Sequence, residues 1–171
     1  MKLLVIRHAI AEDRDEWAFS GKPDAERPLT RDGRDRMRRA ANGIALEAPR
    51  LDLIATSPLV RAVQTAEIVA DEYDGKELTV VNELSPECAP ETLLPWLRSH
   101  EPDTTIAVVG HEPHLGFLVG WLLTGRHESF VELKKGAAVL LEFDDPPAAG
   151  NATLLWALQP GQLRRLRKKE K

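Results

Sequence analysis

Thr105-Ile106-Ala107-Val108-Val109-Gly110-His111-Glu112-Pro113 is the stretch on which the fold is read. Thr105 to Val109 runs without the polar alternation that a half-exposed strand shows. A run of this kind belongs in a strand covered on both faces, as parallel strands between helix layers are. Gly110-His111 ends it. Pro113 then opens a helix, where its missing N–H costs nothing. That helix carries Leu115, Phe117, Leu118, Val119, Trp121, Leu122 and Leu123, so it is apolar over much of its circumference and expected to be largely buried.

The same grammar recurs upstream. Leu3 to Ile6 is a short apolar run and reads as a buried strand. Leu51 to Thr56 is another, followed by Ser57 as N-cap and Pro58 as first helical residue, with Leu59, Val63, Ala66 and Ala70 along one helical face. Thr30 caps a helix whose buried stripe is Met37, Ala40, Ala41, Ile44 and Ala45, and Pro49 stops it. The arginines interleaved with Asp32 and Asp35 on that helix read as a solvated face. Leu78 to Val81 is a short strand. Glu91 to Ser99 is helical, with a kink or a shifted start at Pro95. Ala137 to Phe143 and Thr153 to Leu158 are two strands whose short 144–151 connection predicts an antiparallel pair. Residues 9–29 show no sustained period and read as one long loop.

Strands alternating with helices predict an α/β fold. The expected architecture is three-layer α/β/α, its central sheet mostly parallel with an antiparallel C-terminal edge. The chain has 171 residues, the size of one domain. Residues 1–163 are expected to form it, and 164–171 a basic tail. That tail carries +5, against −9 for the rest and −4 overall. It reads as a solvated end or an arm for an acidic partner. The balance argues against a nucleic-acid binder, which needs a basic face. Cys88 is the single cysteine, which excludes an internal disulfide and fits a reducing compartment. No apolar run reaches the ~18 residues that a bilayer span needs. Arg7 interrupts the apolar N-terminus too early for a signal peptide, so a cytoplasmic location without membrane attachment is expected.

In open α/β sheets, ligands bind beyond the carboxyl ends of the strands. Arg7 and His8 follow the first strand. Ser57 and Arg61 follow the second. His111 follows the strand at 105–109. Two histidines and two arginines therefore converge from three strands. Their chemistry suits phosphoryl transfer. A guanidinium is a planar fork of donors that matches two phosphate oxygens. A histidine near pKa ~6.5 retains a neutral, nucleophilic fraction at pH 7. The helix start at Pro58 adds backbone N–H groups for an anion.

Leu4-Val5-Ile6-Arg7-His8-Ala9 resembles the signature of the histidine phosphatase superfamily, the phosphoglycerate-mutase-like fold. Three further segments support the likeness: Arg27-Pro28-Leu29-Thr30 with Gly33, Thr56 to Ala62 with Gln64-Thr65-Ala66, and Val109-Gly110-His111-Glu112-Pro113. They occur in family order, and the whole chain resembles the small SixA-type phosphohistidine phosphatases with a minimal cap. The resemblance implies that His8 is the nucleophile and is transiently phosphorylated. It implies that Arg7 and Arg61 bind the phosphoryl oxygens and that His111 completes the pocket. Ser57 is a further candidate contact, although its N-cap role suffices to explain it. Ala9 stands where the superfamily at large has Gly and marks the small subgroup.

Larger relatives take a general acid from an inserted cap. Here Glu83 is the best candidate, with a water-facing loop carboxylate as its plain alternative, and Glu12 is a poorer one. A phosphohistidine needs little acid help, because imidazole titrates near ~6.5 whereas water deprotonates near ~15.7. The expected activity is a metal-independent, cofactor-free phosphatase of phosphohistidine on proteins, in signal transduction, acting as a monomer. The alternatives are a phosphomonoesterase of small phosphorylated substrates and a non-catalytic phosphate-binding module. A metal hydrolase is disfavoured because His111-Glu112-Pro113-His114 lacks the His-Glu-x-x-His spacing. His114 is expected near the pocket rim.

Overall fold

The computed structural model describes residues 1–166. Its sheet has six strands: β1 (Lys2–Arg7), β2 (Leu53–Thr56), β3 (Leu78–Val80), β4 (Thr105–Gly110), β5 (Ala138–Glu142) and β6 (Thr153–Leu158). They lie in the order β3-β2-β4-β1-β5-β6. The first four are mutually parallel, and β5 and β6 run antiparallel at the other side. Every residue of β4 is buried, as its unbroken apolar run requires. Along β1, Leu3 and Val5 enter one core while Leu4 and Ile6 enter the other. Successive side chains point to opposite faces, so an all-apolar strand must have helices on both sides.

The helices are α1 (Arg14–Phe19), α2 (Arg31–Glu47), α3 (Val60–Asp71), α4 (Leu94–Arg98), α5 (His114–Thr124) and α6 (Pro160–Leu163). Helices α2 and α3 cover the face of Leu4 and Ile6 through Ala40, Ile44, Ala66 and Val69. Helices α4 and α5 cover the other through Leu97, Leu115, Leu118 and Leu122. The Thr30 hydroxyl caps α2 by accepting from Gly33 N at 2.9 Å. Gly33 is required there by a close approach, since a Cβ on it would collide with the Ile10 carbonyl.

The registers place the site. Arg7 pairs with Gly110 and Thr56 with Val109, so three strands end level. His8 N then donates to the Gly110 carbonyl at 2.9 Å, and Ser57 N to the Val109 carbonyl at 3.0 Å. The residues one step past each strand are thus brought to one edge by main-chain pairing alone.

Several expectations are corrected. Residues 9–29 are not one loop, since α1 and a 3₁₀ turn at Asp24–Glu26 lie within them. Asp13 caps α1 by accepting from Asp15 N and Glu16 N. A six-residue helix with no buried residue leaves no period to read. The segment is tied down by the Ala11–Leu29 bridge and by Glu12 N donating to the Pro28 carbonyl at 2.9 Å. Helix α3 starts at Val60, two residues after Pro58, and its N-cap Leu59 offers no side-chain bond. The 91–99 helix is split into a 3₁₀ turn at Pro90–Leu93 and the short α4. Helix α6 was not anticipated. Leu166 beyond it packs against the α2-side core, and residues 167–171 of the basic tail lie outside the described residues.

Candidate active site

His8 is 6% exposed, and its Nδ1 lies 2.7 Å from the carbonyl oxygen of Ala9. A carbonyl only accepts, so Nδ1 carries the hydrogen and Nε2 keeps its lone pair. Burial pushes the His8 pKa down to about 3. The Ala9 bond opposes that shift, and the charges of Arg61, Arg7 and Lys135 add to it. His111 is likewise pushed down to about 3, by burial first and then by His8 and Arg61. The two rings lie with centroids 5.1 Å apart. Both imidazoles are neutral at pH 7.

Ser57 is fully buried, and its Oγ lies 2.8 Å from His111 Nε2. Its hydroxyl is engaged with His111 and does not line the cleft described below. Leu59 N also reaches Ser57 Oγ, at 3.4 Å, a weaker contact than the predicted cap. The structure therefore gives Ser57 a place against His111.

The arginines are aimed by fixed partners. Arg7 Nη1 donates to the Leu133 carbonyl at 2.6 Å. Arg61 is 2% exposed, and donates from Nη1 to the Asp24 carbonyl at 2.9 Å while Nη2 sits 3.0 Å from the Asp24 carboxylate. Arg27 Nε meets the same carboxylate at 2.8 Å, and Arg27 Nη1 donates to the Glu12 carbonyl at 2.7 Å. Burial pushes the Asp24 carboxyl up, but the Arg27 bond and the charges of Arg61, Arg27 and Arg14 outweigh it and hold it below the usual range. Thr65 joins two parts of the site. Its Oγ1 accepts from Ala9 N at 3.0 Å and donates to the Arg61 carbonyl at 2.7 Å. Gln64 accepts from Leu29 N at 2.8 Å and anchors the incoming chain to α3.

A cleft of about 510 Å³ opens at this edge, lined by Arg7, His8, Arg61 and His111 together. Lys135, Arg27 and Arg14 add cationic charge, and Glu12, Asp13, Asp24 and Glu112 add acidic groups. Glu83 sits half-buried in the 3₁₀ turn Asn82–Leu84 and is not among the lining residues. Glu112 is. Burial raises its carboxyl above the usual range, against the charge of Arg7 and the Gly116 N–H, and its Oε1 is sealed from solvent without a partner. Read from the sequence, Glu112 stands within the Val109–Pro113 segment and within a disfavoured metal motif, with no role of its own. The signal that could have found it is its place beside His111 at a strand end. His114 opens α5, but it is 3% exposed and not among the residues that line the cleft, with both ring nitrogens unpartnered. Among the described residues, no group of three or more His, Cys, Asp or Glu is arranged to hold a metal ion. No helix there is long and apolar enough to cross a membrane.

The arrangement presents a neutral imidazole nitrogen beside aimed guanidinium groups in a semi-open cleft. It can accept a tetrahedral oxyanion and offer it a nucleophile. The model of the histidine phosphatase superfamily (branch 1) matches residues 3–86. An uncharacterised protein of Picosynechococcus sp. is 36% identical over 141 residues, covering 81% of this chain and 83% of its own. Phosphohistidine phosphatase SixA of Escherichia coli K12 is 29% identical over 168 residues, covering 96% and 97%. Among solved structures, the protein histidine phosphatase SixA complexed with tungstate superimposes with a TM-score of 0.80 at 28% identity, over 95% of this chain and 99% of that one. A phosphoserine phosphatase of Entamoeba histolytica with 3-phosphoglyceric acid gives 0.69 at 19% identity, over 95% and 98%, and shares the fold.

Proposed function

The chain belongs to the histidine phosphatase superfamily, and from that premise we propose that it removes phosphoryl groups from phosphohistidine on proteins, through a transient phosphate on His8. The observation that carries this is the Nδ1 bond of His8 to Ala9, which leaves Nε2 as the free nucleophile at the cleft. Nε2 attacks phosphorus, and the substrate's P–N bond breaks on the opposite side. Its electron pair stays with the departing imidazole, which carries a proton on its other ring nitrogen and so leaves neutral. The ring gains positive charge as the N–P bond forms, and the Ala9 carbonyl on Nδ1–H stabilises it. Arg7, Arg61 and His111 hold the three equatorial oxygens, where charge accumulates. In the second step a water attacks phosphorus, and the N–P bond breaks with its electron pair returning to Nε2. Both protons of the water leave on dihydrogen phosphate, so that His8 is neutral again.

The likeness to SixA supports the substrate class, together with the leaving-group argument. A second reading, a phosphomonoesterase of small substrates, is favoured by one observation. Glu112 lines the cleft with a raised pKa, and an ester needs such a proton donor. In this mechanism Glu112 takes the acid role in place of Glu83. Metal independence, a cytoplasmic site of action and a monomeric state belong to the proposal.

The test is turnover on a phosphohistidine-bearing protein beside sugar and aryl phosphates, with and without chelator. Faster turnover of sugar phosphates would move the assignment to the second reading. Loss of activity with chelator, restored by a divalent metal, would overturn metal independence. His8→Ala is expected to abolish turnover and the acid-labile, base-stable label on the protein. Retained turnover would end the covalent mechanism.

A further inference from the structure

A second cavity of about 330 Å³ opens beside the catalytic cleft, between α2 and the turn at 134–136. The two share Arg7, Ile10 and Lys135, which form the boundary between them. Besides Arg7 and Lys135, the second cavity is lined by Arg36, Lys134 and Arg164, and among the described residues by no acidic side chain. Met37, Ala40 and Pro160 give it an apolar floor. Five cations therefore meet in one groove of a chain whose net charge is −4. Glu112 and Glu132, which do not line this groove, act on Arg7 by charge. Lys135 is lowered from its ordinary pKa by burial first and then by the charges of Arg7 and Arg27, with Asp13 on the catalytic side opposing. Arg36 has Asp32 at 2.7 Å, a pair about half exposed on both sides and so weakened by water.

A concentration of like charge next to a phosphoryl site is complementary to an anion that accompanies the phosphoryl group. The apolar floor gives a free inorganic ion nothing to bind. It does suit the carbon bodies of side chains whose carboxylates reach Arg36 and Lys134. The rest of the chain also selects against the wrong approach, because residues 1–163 carry −9 and repel an acidic partner elsewhere. We propose that this groove docks an acidic segment of the phosphorylated protein, next to the phosphorylated residue that enters the catalytic cleft. The inference rests on the phosphoprotein reading above. It goes further in naming the surface that recognises the protein and the chemistry of the segment recognised.

The double variant Arg36→Glu, Lys134→Glu tests it, with Arg36→Ala, Lys134→Ala as the milder form and thermal melts confirming that both fold. Neither residue lines the catalytic cleft. The first probe is a fluorescent octaglutamate peptide. Wild type is expected to bind it with steep salt dependence, and the reversal to weaken binding about tenfold or more. With a phosphohistidine-bearing protein, the KM of the variant is expected to rise by a similar factor while aryl phosphate turnover stays within about twofold. Unchanged peptide binding in the reversal overturns the proposal. So does competition for the groove by a small bisphosphate but not by octaglutamate, or equal loss on aryl phosphate. If wild type turns over no phosphohistidine protein, the functional reading fails, while the peptide measurement still decides the groove.

Discussion

The Nδ1 of His8 is bonded to the carbonyl of Ala9, its own chain neighbour, at 2.7 Å. A contact this local is set by the backbone at the end of β1, so the tautomer is settled before any substrate arrives. Neutrality is imposed separately, by burial, which takes the His8 pKa to about 3. The nucleophile should therefore stay unprotonated down to about pH 4. With a phosphohistidine protein that tolerates acid briefly, single-turnover rates at pH 7 and pH 5 are expected to differ little. A fall with an apparent pKa near ~6.5 would show an ordinary, solvated histidine instead.

The same burial makes stability depend on pH. In the unfolded chain His8 and His111 take up protons near ~6.5, whereas folded they remain neutral until about pH 3. The unfolded state thus binds more protons between these limits, and stability falls as pH drops through that window. Each histidine contributes up to about 1.4 kcal/mol per pH unit there. Urea melts from pH 7 to pH 4 should show this slope, and His111→Asn should flatten it. An unchanged slope would contradict the assignment.

Ser57→Ala removes the hydroxyl that lies against His111. As a positioning residue, Ser57 is expected to matter by about one hydrogen bond, a three- to tenfold loss in kcat with little change in KM. A large rise in KM would instead show that the hydroxyl contacts the phosphoryl group directly.

Arg61→Lys keeps the charge and loses the fork. The guanidinium holds the Asp24 carbonyl and carboxylate at once, and a lysine cannot do so while still presenting donors to phosphate. We expect kcat/KM to fall at least ~100-fold, about 2.7 kcal/mol of lost transition-state binding. Near-normal activity in Arg61→Lys would mean that only charge matters at this position.

Glu112→Gln separates the two substrate classes. Alkyl phosphates, which need a proton on the departing oxygen, should slow by about 10²- to 10⁴-fold, and phosphohistidine by far less. Glu83→Gln should leave both near wild type, since Glu83 does not line the cleft. Equal loss on both substrates in Glu112→Gln would assign Glu112 to holding Arg7 rather than to proton transfer.

Much of this was legible in one dimension. The unbroken apolar runs at 3–6 and 105–109 implied a sheet covered on both faces, and the residues just past them proved to share one edge. The place of Ser57 was not legible. Its Ser-Pro context carries a strong local capping signal, while the bond that engages it comes from His111, 54 positions away. Helix α1 escaped detection because it buries nothing and so leaves no periodic trace. From the sequence Asp24 has no role, and Glu112 stands only inside longer motifs, for a related reason. A carboxylate in a sequence carries no sign of whether it faces water or a guanidinium.

The sequence by itself determined the layers, the parallel direction of the early strands and the four residues around the cleft. Periodicity and strand ends are local properties, and local properties survive in a string of letters. Only the tertiary structure decided that His8 is neutral with Nε2 free, that Asp24 aims Arg61, that Glu112 rather than Glu83 lines the cleft, and that five cations gather beside it. Each of these depends on burial and on distances between residues far apart in the chain, which are set only once the sheet has closed its registers.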